Sequence, residues 1–286
     1  MRRCLITGAA GFVGRHMAQE LVDRGWDVDP WDLVADRNAH DLFHGGCPVY
    51  DLVIHLAYHI GGRASIDSKF RLLTRNAHLD AAMFEWAIQT QLRVLYFSSS
   101  AAYPAALQTG EFETRLTEED IDLDDVAQPD SRYGWAKLCG EQLARAATET
   151  GLAVHVVRPF SGYAEDQPLD YPFPSIIERA RRGDFSVWGP PGQVRDFIHI
   201  DDVVAGALAV VDADERRPVN LCTGHGVEFG DLMRLAAGRP DVRVEYEPDM
   251  PTGVYYRVGD PTRMTEIYTP KITIEEGVER ALKVNS

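Results

Sequence analysis

The sequence predicts an α/β fold, a doubly wound parallel sheet followed by a smaller, mixed C-terminal lobe. Apolar runs alternate along the chain with amphipathic segments of helical period, and the runs are continuously hydrophobic, so both faces of each strand are covered. After about residue 159 that alternation breaks down, with prolines at 159, 168, 172, 174, 190 and 191.

The runs Cys4 to Thr7, Leu52 to Ala57, Val94 to Ser98 and Ala153 to Val157 read as buried strands. Helices are expected near Val13 to Arg24, Lys69 to Gln89, Tyr133 to Thr150, Ser175 to Arg182, Asp202 to Val211 and Phe229 to Ala237. A strand over Trp26 to Leu33 contains Pro30, which cannot donate to a ladder, so it belongs at the sheet edge. Asp196 to Ile200 and Val219 to Cys222 read as strands again. The expected division is therefore a first domain over 1–159, with return segments near 196–222, and an interleaved substrate lobe over 160–286. The acidic stretch Glu111 to Asp130 reads as a solvated loop, with a functional flap as the alternative.

Composition narrows the class. Of 286 residues, 45% are hydrophobic and 26% charged, which suits a globular chain rather than a disordered one. The 29 basic against 44 acidic residues leave a net charge of -15, unsuited to gripping nucleic acid. Cys4, Cys47, Cys139 and Cys222 are widely spaced, which suggests neither a zinc site nor a disulfide framework and fits a reducing cytoplasm. Glycines interrupt the N-terminal apolar run, and no uncharged stretch reaches the roughly 18 residues of a membrane span, so neither secretion nor a membrane is expected.

Thr7 to Gly14 follows the first strand and opens the first helix, with Gly8, Gly11 and Gly14 spaced G-x-x-G-x-x-G. Gly8 permits the tight turn, Gly11 the approach of a pyrophosphate and Gly14 close helix packing, while the helix N-terminus offers free N–H groups. Asp32 ends the second strand, where a carboxylate accepts hydrogen bonds from an adenosine ribose and repels a 2′-phosphate. NAD is thus favoured over NADP, although Arg15 and Arg37 are candidates to pair with an extra phosphate.

A second constellation carries chemistry. Lysine occurs only at Lys69, Lys137, Lys271 and Lys283, yet Lys137 falls four residues after Tyr133 on an expected helix. At that spacing the side chains share a face, and the ammonium is expected to lower the tyrosine pKa and make Tyr133 a general acid/base. Ser98, Ser99 and Ser100 follow a strand's C-terminal end, where open α/β sheets bind ligands. His40 with His44, and His55 with His59, read as structural rather than metal-binding, His199 reads as packing, and Asp201 and Asp202 read as helix caps.

Thr7 to Gly14, Asp51 to Ala57, Phe97 to Pro104, Tyr133 to Lys137, Arg158 to Phe160 and Arg195 to Asp202 resemble the NAD-dependent epimerase/dehydratase family of extended short-chain dehydrogenase/reductases. That family includes UDP-galactose 4-epimerase-like and GDP-fucose synthase-like enzymes. The resemblance implies a Rossmann-type sheet, with NAD held by Gly8, Gly11, Phe12, Val13, Gly14, Asp32, Leu56, Ala57, Tyr133 and Lys137. It implies Tyr133 as the proton-transferring residue, Lys137 as its partner on the nicotinamide ribose, and Ser99 as the active serine with Ser100 as fallback. Ser161 is expected to face substrate, and Arg195 and Arg257 to clamp a nucleotide-sugar diphosphate. A homodimer through two helices is implied too, although the apolar faces of Lys69 to Gln89 and Tyr133 to Thr150 serve equally as core.

Three departures narrow the chemistry. Ser161 stands where many members have asparagine after Arg158-Pro159-Phe160. Ser100 and Ala101 stand where dehydratases have an Asp-Glu pair after the active threonine. The 3,5-epimerising members share a Gly61-Gly62 loop and a Tyr103-Pro104 step but place a cysteine at Ala101. The leading expectation is an NAD-dependent nucleotide-sugar 4-epimerase. The alternatives are a dehydratase, reductase or decarboxylase of the same family, and a non-catalytic dinucleotide sensor.

Overall fold

A computed structural model describes residues 1–43, 49–60, 70–111, 113–250 and 252–284. His44, Cys47, the Gly61-Gly62 loop and Lys69 lie outside the described residues. Six parallel strands form the main sheet: β1 (Arg3–Thr7), β2 (Asp27–Trp31), β3 (Leu52–His55), β4 (Val94–Phe97), β5 (Val154–Pro159) and β9 (Val219–Leu221), in the order β2-β1-β3-β4-β5-β9. β2 is an edge strand, as Pro30 requires, with Pro30 opposite Ile6 of β1.

Alternate side chains of each strand serve opposite faces. Cys4 and Ile6 join Ile54, Leu95 and Val157 beneath α1 (Phe12–Asp23) and α6 (Ile200–Asp212). Leu5 joins Val53, Val94 and Val156 beneath α3 (Phe70–Thr90) and α4 (Arg132–Glu149). This two-sided burial is why the strands read as unbroken apolar runs.

The second lobe is built on β8 (Val194–His199), which pairs with β6 (Ser161–Tyr163), β10 (Gly226–Glu228) and β12 (Tyr256–Arg257). Beside it, β7 (Ser186–Trp188) pairs with β11 (Glu245–Glu247). Three helices, α5 (Pro172–Arg181), α7 (Phe229–Ala237) and α9 (Ile274–Val284), close its core over Tyr163, Phe173, Phe197 and Leu232. The strand Val219–Leu221 returns to the main sheet, whereas Val194–His199 stays in the smaller one.

Two expectations need correction. The helix after β8 begins at Ile200, so its cap is His199, whose Nδ1 accepts from Asp201 N at 3.2 Å. Asp202 instead accepts from Lys271 N, Ile272 N and the Tyr268 hydroxyl, tying down the C-terminal segment. The acidic stretch is also not wholly solvated. Leu116 and Ile121 pack with Tyr103 and Phe160, and buried Glu118 accepts from Asn220 N at 2.9 Å. Apolar residues spaced among the acids make it a packed strap.

Candidate active site

β1 delivers the chain to Gly8, whose φ of +73° belongs to the left-handed region that glycine tolerates. A Cβ on Gly14 would meet the Gly8 carbonyl oxygen at 2.1 Å, so the loop and α1 can pack only with glycine there. Gly11 caps α1 with extended backbone, no capping side chain and no acid in the first turn, which leaves the N-terminal N–H groups for an anion. Asp32 at the end of β2 accepts from Ala10 N and Val34 N, both at 3.0 Å, and still faces the cavity. Arg37 is committed to Asp29 at 2.7 Å and Arg15 to Asp166 at 2.7 Å, so neither is placed for a 2′-phosphate.

These parts wall one end of a cavity of about 770 Å³ between the lobes, which brings together Gly8, Gly11, Phe12, Val13, Gly14, Asp32, Leu56 and Ala57. The glycine cradle, the open helix end and the carboxylate at the second strand fit a dinucleotide.

Ser99, Tyr133 and Lys137 line the other half. Ser131 caps α4, accepting from Gly134 N at 3.1 Å. A Cβ on Gly134 would sit 2.2 Å from the Ala101 carbonyl oxygen, so the first turn of α4 is pressed against the serine turn. That contact puts Tyr133 in hydrogen-bond reach of Ser99. Lys137, almost wholly buried, donates to the Phe97 carbonyl at 2.7 Å and lies 3.3 Å from the centre of the Tyr58 ring.

The expected lowering of the Tyr133 pKa does not appear. Burial pushes its phenol above the ordinary value despite the Ser99 hydrogen bond, and Tyr171 and Asp80 push the same way. Lys137 shares the face, but its ammonium is directed at Phe97 and Tyr58, with Tyr133 5.9 Å away to the ring centre. Burial lowers Lys137 itself to about 8, against the pull of Asp80 and Glu141.

Ser161 and Arg195 line the cavity beside β8, and Arg195 donates to the carbonyls of Val194 at 2.8 Å and Val254 at 2.7 Å. Ser100 is buried and is not part of the wall. Arg257 is not part of it either: it is paired with Asp130 at 3.1 Å and donates to Gln108 Oε1 at 2.6 Å. Sequence reasoning missed Tyr58, Gln167, Tyr171 and Phe173 on the wall. Only Tyr58 carried a signal, directly after the Asp51 to Ala57 strand.

The comparisons with known proteins agree with this geometry. The NAD dependent epimerase/dehydratase family matches residues 4–222. The chain belongs to that family. It is therefore an enzyme of an NAD-dependent family, and its relatives differ in reaction type. The UDP-N-acetyl-alpha-D-glucosaminuronate decarboxylase of Bacillus cytotoxicus is 26% identical, over 99% of this chain and 97% of the relative. The dTDP-4-dehydro-6-deoxy-D-allose reductase of Streptomyces bikiniensis is 28% identical over 93% and 90%. MoeE5, solved in complex with UDP-glucuronic acid and NAD, superposes with a TM-score of 0.83 at 26% identity, over 99% of this chain and 98% of that one. Among the described residues no helix is long and apolar enough to cross a membrane.

Proposed function

We propose that the protein is an NAD-dependent nucleotide-sugar epimerase that inverts C4 through a transient 4-keto sugar. One observation carries this reading: among the described residues Asp32, at the dinucleotide end, is the only carboxylate on the cavity wall. Tyr133 with Ser99 and Lys137 then forms the acid–base group of the reacting end. Elimination of water needs a further acid and base, whereas inversion at C4 needs one group that takes a proton and returns it.

In the forward step Tyr133 accepts the proton of the C4 hydroxyl while the C4 hydrogen leaves as hydride, and Ser99 hydrogen-bonds the C4 oxygen as it becomes a carbonyl. Gly8, Gly11, Gly14 and Asp32 would hold NAD, which would supply the hydride acceptor and a positive charge that favours the phenolate. Rotation of the keto sugar presents its opposite face, and Tyr133 returns the proton to the C4 oxygen as the hydride that left C4, which the cofactor would give back, re-forms the carbinol. Lys137 holds positive charge beside the phenol throughout. Arg195 and Ser161 face the sugar nucleotide.

The test incubates the enzyme and NAD with UDP-, GDP- and dTDP-hexoses and hexuronates, followed by mass spectrometry after chromatography that separates stereoisomers. A new isomer at unchanged mass is expected. Loss of carbon dioxide or water, or gain of hydrogen, would replace the epimerase reading with decarboxylase, dehydratase or reductase.

A further inference from the structure

Asp80 lies within α3, completely buried, and the chemistry above does not use it. Its Oδ2 accepts from the Tyr96 hydroxyl at 2.8 Å and from the Tyr58 hydroxyl at 3.2 Å. His55 Nε2 lies 3.2 Å from Oδ1, and His55 Nδ1 is 2.8 Å from Thr7 Oγ1, at the end of the strand that delivers the glycine loop. Burial and the Asp80 charge hold both phenols protonated, so they remain donors to the carboxylate. The same two rings receive Lys137: its Nζ is 3.3 Å from the centre of the Tyr58 ring and 5.1 Å from that of Tyr96.

The neighbouring helix makes room for this arrangement. A Cβ on Gly140 of α4 would fall 1.8 Å from the Tyr96 hydroxyl oxygen and 2.7 Å from Asp80 Oδ2. Glycine inside a helix is destabilising relative to alanine, so local propensity does not favour it at this position. An apolar residue at position 80 would satisfy the helix seam without burying a charge.

Several other groups face Lys137. Its own helix supplies Tyr133 and Glu141, β4 supplies Tyr96 and the Phe97 carbonyl, and the segment after β3 supplies Tyr58. Glu141 is already matched: Arg158 of β5 donates to both its oxygens, at 2.9 and 2.6 Å, and Ser98 donates to one at 2.5 Å. Among the described residues no guanidinium pairs with Asp80, and it is the strongest influence favouring the charged form of Lys137.

We infer that Asp80 is a positioning residue that, through Tyr58 and Tyr96, keeps the Lys137 ammonium charged and seated beside Tyr133. This rests on the reading of Tyr133 and Lys137 as the reacting pair.

The test exploits the rarity of lysine. Protein labelled with 13C at lysine Cε has four such positions, Lys69, Lys137, Lys271 and Lys283, and Lys137→Arg assigns the Lys137 signal. Titration of the labelled protein without sugar is expected to place the Lys137 midpoint near 8, and Asp80→Asn to lower it by about one unit or more. If Asp80→Asn fails to fold, Asp80→Ser removes the same charge, keeps a hydroxyl for Tyr96, and is read in the same way. An unchanged midpoint in a folded neutral variant overturns the inference. The alkaline limb of kcat/KM should move down with the midpoint while the sugar KM stays the same. A merely structural role would lower activity at every pH and leave the limb in place. A lowered midpoint in a protein that turns over no nucleotide sugar would remove the functional reading and support the role of Asp80.

Discussion

At the scale of single residues, the site combines a phenol that burial pushes above its ordinary pKa with a lysine that burial lowers to about 8. Under the proposed mechanism, replacing Tyr133 with Phe removes the group that exchanges the sugar proton and keeps the ring. Turnover should fall by at least about 10²-fold. NAD affinity, measured by calorimetry, should hardly change, and retained turnover would take Tyr133 out of the mechanism. The lysine sets a pH limit. Its folded pKa is depressed to about 8, so the ammonium is present below that pH and is lost above it. Accordingly kcat/KM should decline on the alkaline side with an apparent pKa near 8, and a profile flat to well above that value would contradict the assignment. The Tyr133–Lys137 pair was legible in the sequence because i, i+4 spacing on a helix guarantees a shared face. The direction of the tyrosine shift was not, because it depends on how deeply the cavity wall buries the ring. The positions of Arg257 and Ser100 were hidden for a similar reason. Asp130, which claims Arg257, comes from a strap distant in the chain.

Among the secondary-structure elements, legibility follows how much of each element's stability is local. β1, β3, β4 and β5 announced themselves because helices cover both faces, and Phe229–Ala237 was read with both ends correct. β6, β7, β10 and β11 are three residues each and exist only through pairing across the second lobe, so no periodicity marks them. α9 was missed although it presents a buried stripe of Gly277, Val278 and Ala281. One buried pair links the elements around the site. Arg158 on β5 grips Glu141 on α4 with two hydrogen bonds, and both side chains are about 1% exposed. Arg158→Met should therefore cost roughly 3–5 kcal/mol in urea unfolding, because Glu141 is left buried and uncompensated. Adding Glu141→Leu should recover much of that loss. A single variant as stable as the parent would show that the pair is not what joins β5 to α4.

For the molecule as a whole, the proposed function requires the two lobes to close over the cavity and still admit and release a sugar nucleotide. Asp166, just after β6, meets Arg15 and His16 of α1 at 2.7 and 3.1 Å. Partial burial alone would raise its carboxyl, but hydrogen bonds from Arg15 and His16 outweigh that and hold it below the ordinary value. A depressed carboxyl contributes stability above the ordinary aspartate pKa and loses it as pH falls through the folded value. This latch should thus be intact at neutral pH and released in acid. Arg15 and Asp166 are more than a third exposed and His16 about a quarter, so water screens the contact and its contribution to stability is at most about 1 kcal/mol. On the proposed function its larger effect should be on substrate binding, because the residues that follow it, Gln167, Tyr171 and Phe173, line the cavity. Asp166→Asn should move the melting temperature by only a few degrees. The same variant should raise the sugar KM severalfold, with kcat and NAD affinity unchanged. A sugar KM equal to that of the parent would mean that the lobes are held by their packed cores alone, with the latch carrying no part of substrate capture.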